Sequence, residues 1–157
     1  MTCSTLARPF VIVSLSALAL AGCNKATDGQ TLFQATLSAA NEVPARGSSA
    51  NGAAGFTIDG DTVLFSIEAN QIENVTMSHI HSGAAGVNGP VRVFLFKGPT
   101  TGTVNGRLVE GSFTAKDVTG VSFQELLAEM QAGTAYVNVH TTQFPGGEMR
   151  GQTRLVQ

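Results

Sequence analysis

The sequence predicts an all-β fold, an antiparallel Greek-key-like β-sandwich or barrel carrying one short α-helix, and three observations predict it. From Thr31 onward the chain breaks into short runs rich in β-branched and aromatic residues; glycine-containing turns separate the runs; and a single segment leaves two-residue alternation for a helical period.

The runs are Phe33–Ala39, Gly55–Asp59, Thr62–Ala69, Asn74–His81, Val91–Phe96, Gly106–Thr114, Ala135–His140 and Gly147–Val156, which give seven or eight strands. Turn chemistry punctuates them at Asp59-Gly60-Asp61, Asn88-Gly89-Pro90 and Pro145-Gly146-Gly147. The exception is "VSFQELLAEMQAG". Phe123, Leu126, Leu127 and Met130 fall there at i, i+3, i+4 and i+7, Ser122 with Glu125 makes a capping box, and Gly133 stands where a left-handed C-terminal residue belongs. This is one amphipathic helix near residues 122–132, covering an end or an edge of the β domain.

The N-terminus states where the protein works. Residues 1–22 hold one charge, Arg8, followed by an apolar run from Phe10 to Ala21 that is too short to span a bilayer and fits the core of a secretory signal. The run ends in Leu20-Ala21-Gly22-Cys23, which resembles the bacterial lipobox, whose cysteine is acylated and becomes the first mature residue. The alternative is an ordinary small-residue cleavage site with an incidental cysteine. Acyl chains on Cys23 would supply the two or more hydrophobic anchors that stable membrane attachment needs. Asn24 follows, not Asp, which by the same resemblance favours the outer membrane of the cell envelope. The expected organisation is a lipoprotein signal peptide at 1–22, a lipidated tether at 23–30 and one domain at 31–157.

Loss of 1–22 from the 157 residues leaves 135, enough for one core. Cys3 departs with the signal, so the mature chain has no pair of cysteines to join. Eleven acidic against eight basic residues remain, with no basic cluster and no row of aromatics, which argues against a nucleic-acid partner. Hydrolytic chemistry finds no support either. There is no Gly-x-Ser-x-Gly, no His-Glu-x-x-His, and the acids are scattered singly.

The three histidines of the chain remain. In a strand, alternate residues share a face, so Val75, Met77, His79 and His81 are expected on one side, with Thr76, Ser78 and Ile80 on the other. His79 and His81 would then stand roughly 7 Å apart on one face. The same alternation groups Tyr136, Asn138 and His140 opposite Ala135, Val137 and Val139. If the two strands are neighbours, His140 completes a three-nitrogen site. Imidazole suits copper and zinc, and three neutral nitrogens leave a coordination position open. Asn138, Ser78, Glu148 and backbone carbonyls are candidates to orient the rings through their other nitrogens. The competing reading is three hydrogen-bonded structural histidines. Gly83, Gly86 and Gly89 match no phosphate loop and read as a turn exposing the histidine pair. Glu148 and Arg150 read as a structural ion pair rather than a functional clamp.

"SAANEVPA" (38–45), "SHIHSGAAGVNGPVRVFLF" (78–96) and "GTAYVNVHTTQFPGGEMRGQ" (133–152) together resemble the CHRD domain, in that order and over nearly all of the expected mature chain. Ala45 and Met149 depart from its usual residues without touching a polar group. The resemblance implies an extracellular or envelope module with a structural or protein-interaction role. A weaker resemblance concerns chemistry. His-x-His before a glycine-rich loop, with a later Val-His, is similar to the copper-ligand strands of the copper/zinc superoxide dismutases. It implies His79, His81 and His140 as ligands and Arg150 as a guide for an anionic substrate, although no histidine is left for a fourth ligand, a bridge or a zinc loop. Two function classes follow: an envelope-anchored module that binds copper or zinc, with dismutase-like redox chemistry as the one enzymatic option, or an interaction domain without metal.

Overall fold

In the computed structural model, which describes residues 31–156, the chain forms nine strands, β1 (Leu32–Ser38), β2 (Asn51–Asp59), β3 (Thr62–Glu73), β4 (Val75–Ser82), β5 (Val91–Lys97), β6 (Thr103–Thr114), β7 (Ala135–Thr141), β8 (Met149–Gln152) and β9 (Arg154–Leu155), and one helix, α1 (Phe123–Ala132). The expected signal peptide, the acylated Cys23 and the tether lie outside the described residues. Among the described residues no helix is long and apolar enough to cross a membrane.

Every strand pairing is antiparallel, in the order β5-β4-β7-β8-β1-β2-β3-β6 with β9 added to β1. β5 and β6, at the two ends of this order, approach one another, so the sheet curls into a nearly closed barrel. The predicted all-β class with one short helix is therefore what the chain adopts. The interior is filled by alternate residues of each strand, among them Phe33, Ala35 and Leu37 of β1 and Val137 and Val139 of β7. Phe56, Phe65, Phe113 and Phe123 form a row of rings with centroids 6.3 to 6.5 Å apart, a spacing that favours tilted and edge-on contacts.

Phe123 ends that row, and it belongs to the helix. Ser122 caps α1 by accepting from the Glu125 amide at 3.2 Å, while the Glu125 carboxylate accepts from the Ser122 amide at 2.7 Å. Gly133 closes it in a left-handed conformation, φ 70°. Phe123, Leu126 and Met130 are buried and Leu127 packs half-buried beside them, so the apolar stripe seats α1 on β7 and β9.

The last predicted strand differs in detail, for it is split at Thr153. The Thr153 hydroxyl donates to the Met130 and Ala135 carbonyls at 3.0 and 3.1 Å, and its amide also donates to Ala135. These bonds pull the chain out of line between β8 and β9.

Candidate metal centre

β4 carries the histidine pair on the outer face of the barrel. Ser78 and Ile80 are fully buried, Ile80 in the core, and Met77, His79 and His81 face away from it. Val75 does not join them. The pairing of β4 with β7 slips between Val75 and Met77, a bulge that inserts one residue and reverses the alternation, so Val75 turns into the core. The grouping of Val75 with the histidines is thereby corrected; that of Met77, His79 and His81 stands.

β7 runs alongside. Ala135, Val137 and Val139 fill the core, and Tyr136, Asn138 and His140 share the outer face with the β4 histidines. In the register Met77 opposes His140, His79 opposes Asn138 and His81 opposes Tyr136, so His140 sits diagonally from His79. Diagonal neighbours on one face are within reach of long or aromatic side chains. The Nδ1 of His79 lies 3.1 Å from Nε2 of His140. One nitrogen from each of His79, His81 and His140 can be chosen so that all three lie within 4.8 Å of one another.

Loops hold the rings. His81 Nδ1 is 2.9 Å from the Gly89 carbonyl, and His140 Nδ1 is 2.8 Å from the Pro145 carbonyl. A carbonyl only accepts, so both Nδ1 atoms carry the hydrogen and both Nε2 atoms present a lone pair. His79 then donates from Nδ1 to His140 Nε2. Glycine chemistry explains how the first loop comes so close: a Cβ on Gly89 would collide with the Ser82 carbonyl. The glycine-rich loop, expected to expose the histidine pair, thus folds back over His81, and both rings are buried, His79 at 3% and His81 at 9% accessible.

Four buried side-chain polar atoms among the described residues lack a partner, and three of them lie on this face: His79 Nε2, His81 Nε2 and Asn138 Oδ1. Burial also keeps the rings neutral. Desolvation, then the neighbouring His140 and His81, lower the His79 pKa from 6.5 to about 4. Desolvation likewise lowers His81 and His140, against the opposing pull of their carbonyl partners.

The surrounding groups divide into those that touch this face and those that do not. Asn138 donates to Glu42 Oε1 at 2.8 Å, and Glu42 Oε2 accepts from Arg150 at 2.7 to 2.8 Å in an ion pair that is almost wholly buried. Arg150 also donates to Asn88 and the Val87 carbonyl and lies over the Tyr136 ring at 4.4 Å. Tyr136 stacks on His81 with centroids 4.8 Å apart. Arg150 thus supports the histidine ring through Tyr136, and its charge is matched by Glu42; it is not an open cation aimed at an anion. Glu148 makes no hydrogen bond to the histidines; its oxygens accept from Ser48 and Thr141 at 2.6 Å each. The expected Glu148–Arg150 pair is replaced by Glu42–Arg150. Ser78 points into the core and orients no ring. Glu42 had no role in the sequence reading, and the one signal for it was that Arg150, in a strand, would need a buried counter-charge.

Such a group of ring nitrogens has the composition that could hold a metal ion. His79 Nδ1 and His140 Nε2, 3.1 Å apart, would subtend roughly 100° at an ion about 2.0 to 2.1 Å from each, close to tetrahedral, once the His79 hydrogen moves from Nδ1 to Nε2 and frees both lone pairs. The three imidazoles are neutral, as ligation requires. Comparison with known proteins returns the CHRD domain, whose family model matches residues 33–153. No curated protein and no solved structure gives a significant match.

Proposed function

The chain belongs to the CHRD domain family, and from that premise we propose that it is an exported CHRD domain, lipid-anchored at Cys23 in the cell envelope, that binds a copper or zinc ion through His79, His81 and His140. The observation that carries the metal reading is the convergence of one nitrogen from each ring within 4.8 Å, in a pocket of neutral, desolvated imidazoles. Burying the His81 ring with its Nε2 unpartnered costs stability that a metal–nitrogen bond would return. The membrane reading rests on the resemblance of residues 20–23 to a lipobox.

The test is a titration of metal-free protein with Cu(II) and Zn(II), followed by thermal unfolding and paired with the metal content of the protein as isolated. A ligand that binds only the folded state adds about 2.7 kcal/mol when its free concentration is about a hundred times its Kd. His140→Ala should remove most of the gain. A melting temperature indifferent to both ions would leave the second reading, an envelope interaction domain whose histidines fasten loops to the sheet. That reading is favoured by one observation: His81 and His140 each hydrogen-bond a loop carbonyl.

A further inference from the structure

The outer face of β4 and β7 is covered almost everywhere, and the exception lies beside the histidines. Met77 is 38% exposed, two residues from His79 on the same face and directly opposite His140 in the register. Facing residues in an antiparallel pair have Cβ atoms about 4.5 to 5.5 Å apart, which a flexible thioether spans. Against β7 the pairing runs without a slip from Met77 to Ser82, and the two slips against β5 insert their extra residue on β5, so β4 keeps its alternation and Met77 shares the face of His79. Among the described residues Met77 is the one exposed large apolar side chain of β4 and β7. Phe94, 50% exposed, stands on the other side of His79 with its ring edge-on at 4.5 Å, so Met77 and Phe94 flank the approach to the cluster.

We infer that Met77 supplies the fourth ligand of this centre through its thioether sulfur, which makes the site one for Cu(I). The inference rests on the metal reading above. Three imidazole nitrogens alone suit zinc and copper alike, whereas a soft thioether favours Cu(I) and adds little for Zn(II). No bond is broken; the sulfur lone pair fills the position that the three nitrogens leave open. Met130 and Met149 are fully buried in the core and cannot compete for the ion.

The experiment compares the purified full chain with Met77→Leu, a swap of similar volume at an exposed site that leaves folding intact. Cu(I) affinity is read anaerobically by competition with a chromogenic Cu(I) chelator, Zn(II) affinity in parallel, and the Cu(I)-loaded proteins are examined by X-ray absorption at the copper edge. Expected are one sulfur neighbour of copper in the wild type and none in Met77→Leu. Cu(I) affinity should fall at least ~10-fold, since losing a direct ligand costs no less than losing an outer hydrogen-bond partner of one. Zn(II) affinity should be unchanged. Copper held by nitrogens alone, or equal Cu(I) affinity in the two proteins, overturns the role of Met77 and leaves the histidine centre standing. Failure of the wild type to retain Cu(I) any better than His140→Ala overturns both.

Discussion

His79 donates from Nδ1 to Nε2 of His140 across 3.1 Å, although 61 positions separate the two residues in the chain. With the Gly89 and Pro145 carbonyls taking the hydrogens of the other two rings, all three histidines carry their proton on Nδ1. Long-range nitrogen–proton NMR spectra of the metal-free protein at pH 7.5 should therefore show three Nδ1–H tautomers. Spectra showing Nε2–H on His81 or His140 would contradict the hydrogen bonds described.

Acid should loosen the metal-free domain earlier than its carboxylates alone would. His79 titrates near 4 in the fold against 6.5 when unfolded, and His81 and His140 are shifted the same way. Between those values the unfolded chain holds more protons than the folded one, so stability is full above pH 6.5 and falls as the pH drops toward 4. Each excess proton corresponds to a slope of about 1.4 kcal/mol per pH unit. Glu42, Arg150 and Tyr136 face the rings and are present in both proteins compared. Urea midpoints from pH 7.5 to 4.5 should fall steeply in the wild type and less in a His79→Gln, His81→Gln, His140→Gln variant.

Glu42→Ala should be among the most damaging single changes. It strands the Arg150 guanidinium, 4% exposed, without its counter-charge and leaves Asn138 without its acceptor. Removing one partner of a buried pair costs roughly 3 to 5 kcal/mol, and replacing both by apolar residues costs less. Urea unfolding should show the double variant Glu42→Gln, Arg150→Met, which removes both charges and keeps an acceptor for Asn138, more stable than Glu42→Ala; the reverse order would mean that the stranded Arg150 charge is not what destabilises Glu42→Ala.

Gly89→Ala tests the loop that covers His81. The added methyl would collide with the Ser82 carbonyl, so the loop must lift and take the Gly89 carbonyl away from His81 Nδ1. Metal affinity should drop roughly 10- to 100-fold, the usual consequence of losing a ring's outer hydrogen-bond partner. Isothermal titration with Cu(II) checks it, and Gly86→Ala, where an added Cβ meets open space but strains a φ of 80°, serves as the control for loop strain alone.

Cys23→Ala should abolish incorporation of labelled fatty acid and move the protein from the membrane to the soluble fraction of the envelope. Unchanged membrane association would remove the lipid anchor from the proposal.

The three histidines were legible because strand alternation is a strong rule and β4 and β7 are regular where it matters, from Met77 to Ser82 and from Ala135 to His140. Val75 was misplaced because a bulge leaves no mark in composition. The helix was legible from its capping box and apolar spacing. Glu42 was not, since its partner Arg150 lies 108 positions away and only the folded barrel brings them together. The break at Thr153 was invisible for the same reason, being set by carbonyls of α1 and β7.

The carbonyls of Gly89 and Pro145 divide authority over the site. The strands decide which rings meet, but the two loops decide which nitrogen each ring of the His81–His140 pair offers. On the metal reading proposed above, ion preference and affinity would drift through insertions or substitutions in residues 83–90 and 142–148 while every histidine stays in place. Two domains with identical ligand triplets need not hold the same ion, and a histidine count read from an alignment would not distinguish them.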